Sequence, residues 1–71
     1  MTNNDKELIW NLIEKYDRVN SEFSDSLSRV LRGIETSKDY EVILSNYRTM
    51  EEADEMTVDS IVGDKMMFEI L

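Results

Sequence analysis

The first half of the chain carries its apolar residues on a helical beat. Ile9, Leu12, Ile13, Tyr16, Val19, Phe23, Leu27, Val30, Leu31 and Ile34 advance mainly in steps of three and four, the spacing that draws one stripe along a 3.6-residue helix. Ahead of the stripe, Asn4 followed three residues later by Glu7 predicts a capped helix start. Asn20 and Ser21 interrupt it with poor helix formers, and Ser21 or Ser24 offers a cap for a second segment. The pattern predicts two helices, over 4–19 and 22–33, with a single long helix as the alternative. Gly33 suits the left-handed position just past a helix end, and Arg29 and Arg32 in the preceding turn complement the negative pole of the helix dipole.

Beyond the polar connection Glu35 to Asp39 the apolar period shortens to two. Tyr40, Val42 and Leu44 alternate with Glu41, Ile43 and Ser45, which predicts a strand. Two further alternating runs, Met56 to Val62 and Met66 to Leu71, meet across Gly63 and Asp64 and predict a hairpin. On that parity Tyr40, Val42, Leu44, Met56, Val58, Val62, Met66, Phe68 and Ile70 share one face, which the helices cover. The opposite face mixes acids with Ile43, Ile61 and Leu71, candidate dimer contacts. The expected fold is α+β: an N-terminal helix or helix pair packed on a small antiparallel three-stranded sheet. One domain spans 1–71, with a helical half over 1–35 and a mainly β half over 36–71.

Size sharpens this picture. A 71-residue chain without cysteine has a thin core and no disulfide or thiolate metal site to brace it, so a homodimer is the expected source of extra stability. At 41% hydrophobic residues the chain is too apolar for a disordered acidic tail. The start MTNNDKELIW lacks the basic opening and apolar core of a signal peptide, and no run approaches a membrane span, so the expected location is the cytoplasm. A net charge of −8 repels anionic lipid and nucleic-acid phosphate alike.

Catalytic chemistry finds few footholds. The absence of His and Cys removes the commonest general base, the activated thiol and nearly all zinc chemistry. Gly33 and Gly63 are too far apart for a phosphate-cradling loop. Asp54, Asp59 and Asp64 do not follow the alternating ligand pattern of a calcium loop, and a pair such as Glu51 with Glu55 is the ordinary produce of an acidic surface. No cofactor and no enzymatic activity are expected. Trp10, beside the apolar stripe, is expected in the core or at a dimer contact; Met50, Met56, Met66 and Met67 read as adaptable packing residues.

Charge is distributed unevenly. Residues 1–35 carry a net charge of −2 and residues 36–71 a net charge of −6, and Glu51, Glu52, Asp54, Glu55, Asp59 and Asp64 succeed one another with no base between them. Carboxylates one helical turn or two strand residues apart lie roughly 6–7 Å from one another, a spacing similar to that of successive phosphates on one nucleic-acid strand. In size, acidity and its helix-then-sheet pattern, with the segment MEEADEMTVDSIVGD from Met50 to Asp64 together with Glu41 and Glu69, the chain resembles the small acidic proteins by which bacteriophages take over host factors, DNA mimics that include inhibitors of the bacterial nucleoid protein HU. The resemblance implies an acidic homodimer in the host cytoplasm that occupies the basic DNA-binding surface of an HU-type protein and excludes DNA. Its expected partner-binding residues are Glu41, Glu51, Glu52, Asp54, Glu55, Asp59, Asp64 and Glu69.

Three other readings compete. Acidity can serve solubility alone. A non-catalytic adaptor or assembly subunit could pack through the exposed apolar sheet face at Ile43, Ile61 and Leu71, with binding that survives high salt. A helix-turn-helix regulator fits poorly, because Phe23 to Leu31 offers only Arg29 against Asp25 where a recognition helix needs net positive charge.

Overall fold

The chain folds as four α-helices with one 3₁₀ turn, seen in a computed structural model that describes residues 1–70 and the side chains of residues 1–63. In chain order these are α1 (Asn3–Tyr16), α2 (Ser21–Arg32), α3 (Ser37–Ser45), the 3₁₀ turn Tyr47–Thr49 and α4 (Glu52–Ile70). No strand occurs among the described residues, so the expected three-stranded sheet is replaced by helix and the fold is all-α rather than α+β.

The helical half follows its pattern closely, with shifted boundaries. The Thr2 hydroxyl accepts from the Asp5 N–H at 3.1 Å while the Asp5 carboxylate accepts from the Thr2 N–H at 3.3 Å, a reciprocal capping box that puts the cap of α1 at Thr2, two residues before Asn4. Asn20, the residue that interrupts the stripe, caps α2: its side-chain oxygen accepts from the Phe23 N–H at 3.2 Å. Two helices therefore replace the single long one, and the cap belongs to Asn20 rather than to Ser21 or Ser24. Gly33 stands at φ 70, and the N–H groups of Gly33 and Ile34 return to Val30 and Arg29 carbonyls at 3.1 and 3.0 Å, closing α2 as a left-handed glycine does.

The second half departs from expectation for a local reason and a tertiary one. Locally, the Asp39 carboxylate accepts from the Thr36 N–H at 3.0 Å, so the segment read as a connection is a helix start. The tertiary reason is packing: with Tyr40 and Ile43 turned inward at 2% and 0% exposure and Leu44 left 38% exposed, steps of three fill the core and alternation does not. In α4, Val58 and Val62 are buried one turn apart while Met56 is 66% exposed. Gly63 lies inside that helix and is buried, so the Gly63–Asp64 hairpin does not form. The backbone stays helical to Ile70, and Leu71 lies outside the described residues.

All four helices feed one core, made of Ile9, Leu12, Ile13, Phe23, Leu27, Val30, Tyr40, Ile43, Val58 and Val62. Each helix packs on the next and α4 returns against α1, so the halves 1–35 and 36–71 share a single interior. At the α1–α2 corner the rings of Tyr16 and Phe23 meet edge to face at 5.0 Å, a favoured aromatic geometry. The two buried serines are matched: the Ser24 hydroxyl donates to the Ile13 carbonyl, and the Ser26 hydroxyl donates to Asp39. Trp10, expected in the core or at a dimer contact, is 51% exposed on α1 and so is not a core residue. Among the described residues no helix is long and apolar enough to cross a membrane.

Candidate functional site

The acidic run of the sequence becomes the start of α4. Glu52, Asp54 and Glu55 occupy its first turn, where unpaired backbone N–H groups and the positive pole of the helix dipole favour carboxylates. Part of the acidic signal is thus a helix-start device. The helix then sorts the carboxylates into two directions.

Glu51 and Asp54 turn towards α1. The Lys15 ammonium lies 3.2 Å from Glu51 Oε2 and 2.8 Å from Asp54 Oδ2, and the Tyr16 hydroxyl donates to the same Asp54 oxygen at 2.7 Å. Lys15 also sits 5.7 Å from the centre of the Tyr16 ring, within cation–π range. Burial alone would raise the Asp54 carboxyl, but hydrogen bonds from Lys15 and Tyr16 outweigh it and hold the group below its ordinary range. The same contacts, Asp54 first and Glu51 second, raise Lys15 above the usual lysine value. Tyr16 is raised as well, by burial first and by its bond to Asp54 next.

Glu52, Glu55, Met56 and Asp59 face elsewhere and line one open depression. Steps of three and four put these four on one side of the helix, with Glu52 and Asp59 about 10 Å apart along its axis. None of the three acids forms an ion pair among the described residues. Behind them the Tyr47 side chain is half-buried, its hydroxyl lacks a hydrogen-bond partner among the described residues, and burial followed by the charges of Asp59 and Glu55 pushes it up to about 12.

The expected partner-binding residues therefore divide. Glu52, Glu55 and Asp59 come together; Glu51 and Asp54 stand beside them but are engaged by Lys15; Glu41 is exposed on α3, a different element. Asp64 and Glu69 fall in the last turns of α4, where side chains lie outside the described residues. Of the expected dimer contacts, Ile43 is fully buried in the core and Ile61 packs against it, so neither forms an exposed sheet face; Leu71 is outside the described residues. Lys15 and Tyr16 were not legible as site residues, because nothing local marks a contact 36 to 39 residues away.

A second cleft, lined by Tyr16, Val19, Asn20, Phe23, Asn46, Thr49 and Met50, opens where the turn after α1 meets the 3₁₀ turn. There the Asn20 amide donates to Asn46 Oδ1 at 2.6 Å. Among the described residues no group of three carboxylates converges to hold a metal ion. Compared with protein-family models, curated proteins and solved structures, the chain matches none.

Proposed function

We propose that the chain is a non-catalytic acidic binding protein that covers a basic, nucleic-acid-binding surface of a partner protein and competes with nucleic acid for it. The observation that carries this reading is the stripe Glu52, Glu55 and Asp59 on one side of α4, three carboxylates with no ion pair among the described residues. Charges left uncompensated on a rigid helix attract a lysine- and arginine-rich surface at long range, release counterions on contact, and lose affinity as salt rises. An HU-type nucleoid protein is the first partner to test. The likeness to small acidic phage proteins that points to it rests on size and acidity, since no strand occurs among the described residues.

The test is a DNA-release assay. HU bound to a short duplex is titrated with the wild-type chain and with the triple variant Glu52→Gln/Glu55→Gln/Asp59→Asn at low and at physiological salt. The wild type is expected to free DNA, more effectively at low salt, and the triple variant to lose most of that effect while keeping its helical circular dichroism. Equal DNA release by both proteins rejects the stripe as the binding surface. Capture of a partner whose binding resists high salt would instead favour an adaptor, now through exposed apolar side chains such as Trp10 and Met56 and not through a sheet face.

A further inference from the structure

The four helices are not held to one another in the same way. α1, α2 and α3 supply eight of the ten core residues, and polar bonds pin them as well: Asp39 of α3 accepts from Ser26 and Arg29 of α2, and Ser24 of α2 donates to the Ile13 carbonyl of α1. α4 adds Val58 and Val62, with Ile61 partly buried against the core. Its own sequence gives it little support. Glu51, Glu55 and Asp59 follow at one-turn spacing, where like charges repel, and Thr57, Val58, Ile61, Val62 and Gly63 are weak helix formers, so away from the core the helix is marginal in water. Against this stands a polar clamp. Asp54, 14% exposed, accepts from the Tyr16 hydroxyl at 2.7 Å and from the Lys15 ammonium at 2.8 Å. Both donors sit in the last turn of α1, and the Tyr16 ring is braced by Phe23 of α2.

We propose that α4 is a separately opening unit: it leaves a body made of α1, α2 and α3 and melts as one piece on the tether of the 3₁₀ turn, with the Asp54 clamp as the latch that sets how often it opens. Opening gives up the two valines and the clamp while the Asp39 and Ser24 bonds stay made, so it takes less free energy than global unfolding. With α4 melted, Glu52, Glu55 and Asp59 lose their fixed spacing, and the latch therefore also governs how long that stripe exists as a surface. The opening belongs to the free chain and is independent of what the stripe binds.

Native-state hydrogen exchange, read by NMR on the full chain, tests this with wild type, Asp54→Asn, Asp39→Asn and Glu52→Gln. In wild type the amides of Val58 to Val62 are expected to share one protection factor, at least about tenfold below that of Leu27 and Val30 in α2, which report global unfolding. The variants then separate the two events. Asp54→Asn weakens the latch, which is broken in the open and in the unfolded state alike, so protection should fall about tenfold in both α4 and α2. Asp39→Asn weakens a tie that survives the opening, so protection should fall about tenfold in α2 and stay unchanged in α4. Glu52→Gln removes the same charge from the first turn of α4 outside the clamp and should change neither by more than about twofold. Equal protection of α4 and α2 in wild type, or an Asp39→Asn loss that reaches α4, overturns the separate opening; an Asp54→Asn effect no larger than that of Glu52→Gln overturns the latch. Should a variant fail to fold, the urea dependence of wild-type exchange decides: α4 amides should respond with a shallower slope than α2 amides, because less surface is exposed, and equal slopes overturn the proposal.

Discussion

Replacing Asp39 with alanine should cost this protein about 3 kcal/mol, a large part of what a domain of this length possesses. The side chain is 6% exposed and makes four contacts. Oδ1 accepts from the Ser26 hydroxyl at 3.1 Å and from Arg29 Nε at 2.8 Å, with Arg29 Nη2 also at 2.8 Å, and Oδ2 accepts from the Thr36 N–H at 3.0 Å. Losing a helix-start acceptor costs about 1 kcal/mol, and stranding the buried Ser26 hydroxyl costs about 1–3 kcal/mol more. The half-exposed Arg29 turns to water and is left out of the sum. A 71-residue domain has a total stability of roughly 4–10 kcal/mol, and a urea slope near 1 kcal/mol/M converts the loss into a midpoint lower by about 3 M. Urea unfolding followed by circular dichroism at pH 7 is the assay. Asp39 adds a pH signature: the Arg29 bond holds its carboxyl below the ordinary value, so its stabilisation is complete above about pH 4 and is lost as pH falls through the folded value. The gap between wild type and Asp39→Ala should therefore narrow at pH 3. A midpoint shift under about 1 M at pH 7, or a gap independent of pH, refutes Asp39 as the ionic tie between α2 and α3.

Other substitutions test single features of the fold. Gly33→Ala should destabilise by about 1–2 kcal/mol, since the position is at φ 70 and a Cβ there meets strain but no neighbour. Gly63→Ala should have the opposite sign, a gain of up to about 1 kcal/mol in helix propensity, because the Cβ falls 2.6 Å from an Asp59 carboxylate oxygen that is exposed and can swing aside; thermal melts read both, and a loss at Gly63 would mean Asp59 is pinned. Asn20→Ala removes both the α2 cap and the bond to Asn46 and should cost about 1–2 kcal/mol in urea unfolding. Tyr47→Phe should be neutral or stabilising by about 1 kcal/mol, as it deletes a buried hydroxyl without a partner among the described residues. In the wild type one phenol should ionise only near pH 12 in a spectrophotometric titration, and the variant should lack that step.

The contrast between the two halves shows what a sequence pattern can hold. From Ile9 to Val30 the apolar steps admit only a helical reading, and Gly33 with its two arginines ends it, so α1 and α2 were legible to within a few residues. Tyr40 to Leu44 is different: Tyr40, Val42 and Leu44 fit a strand, Tyr40, Ile43 and Tyr47 fit a helix, and five residues cannot decide between the two periods. The deciding mark is Thr36 with Asp39, a capping pair inside the polar connection. In α4 the alternating run from Met56 to Val62 and the glycine after it fit strand and turn, whereas tertiary burial of Val58 and Val62 rewards the helix. The acidic run was legible as charge but not as geometry. Only the helix shows that Glu52, Glu55 and Asp59 stand together while Glu51 and Asp54 are drawn towards Lys15.

Trp10, the sole tryptophan, has half of its surface in water although it sits in the middle of a helix. Its indole is half wet before the chain melts, so the emission change on unfolding is smaller than a buried tryptophan would give, and fluorescence is a weaker reporter of the melt than circular dichroism. The same placement makes it a clean optical beacon for anything that settles on α1, readable without a dye.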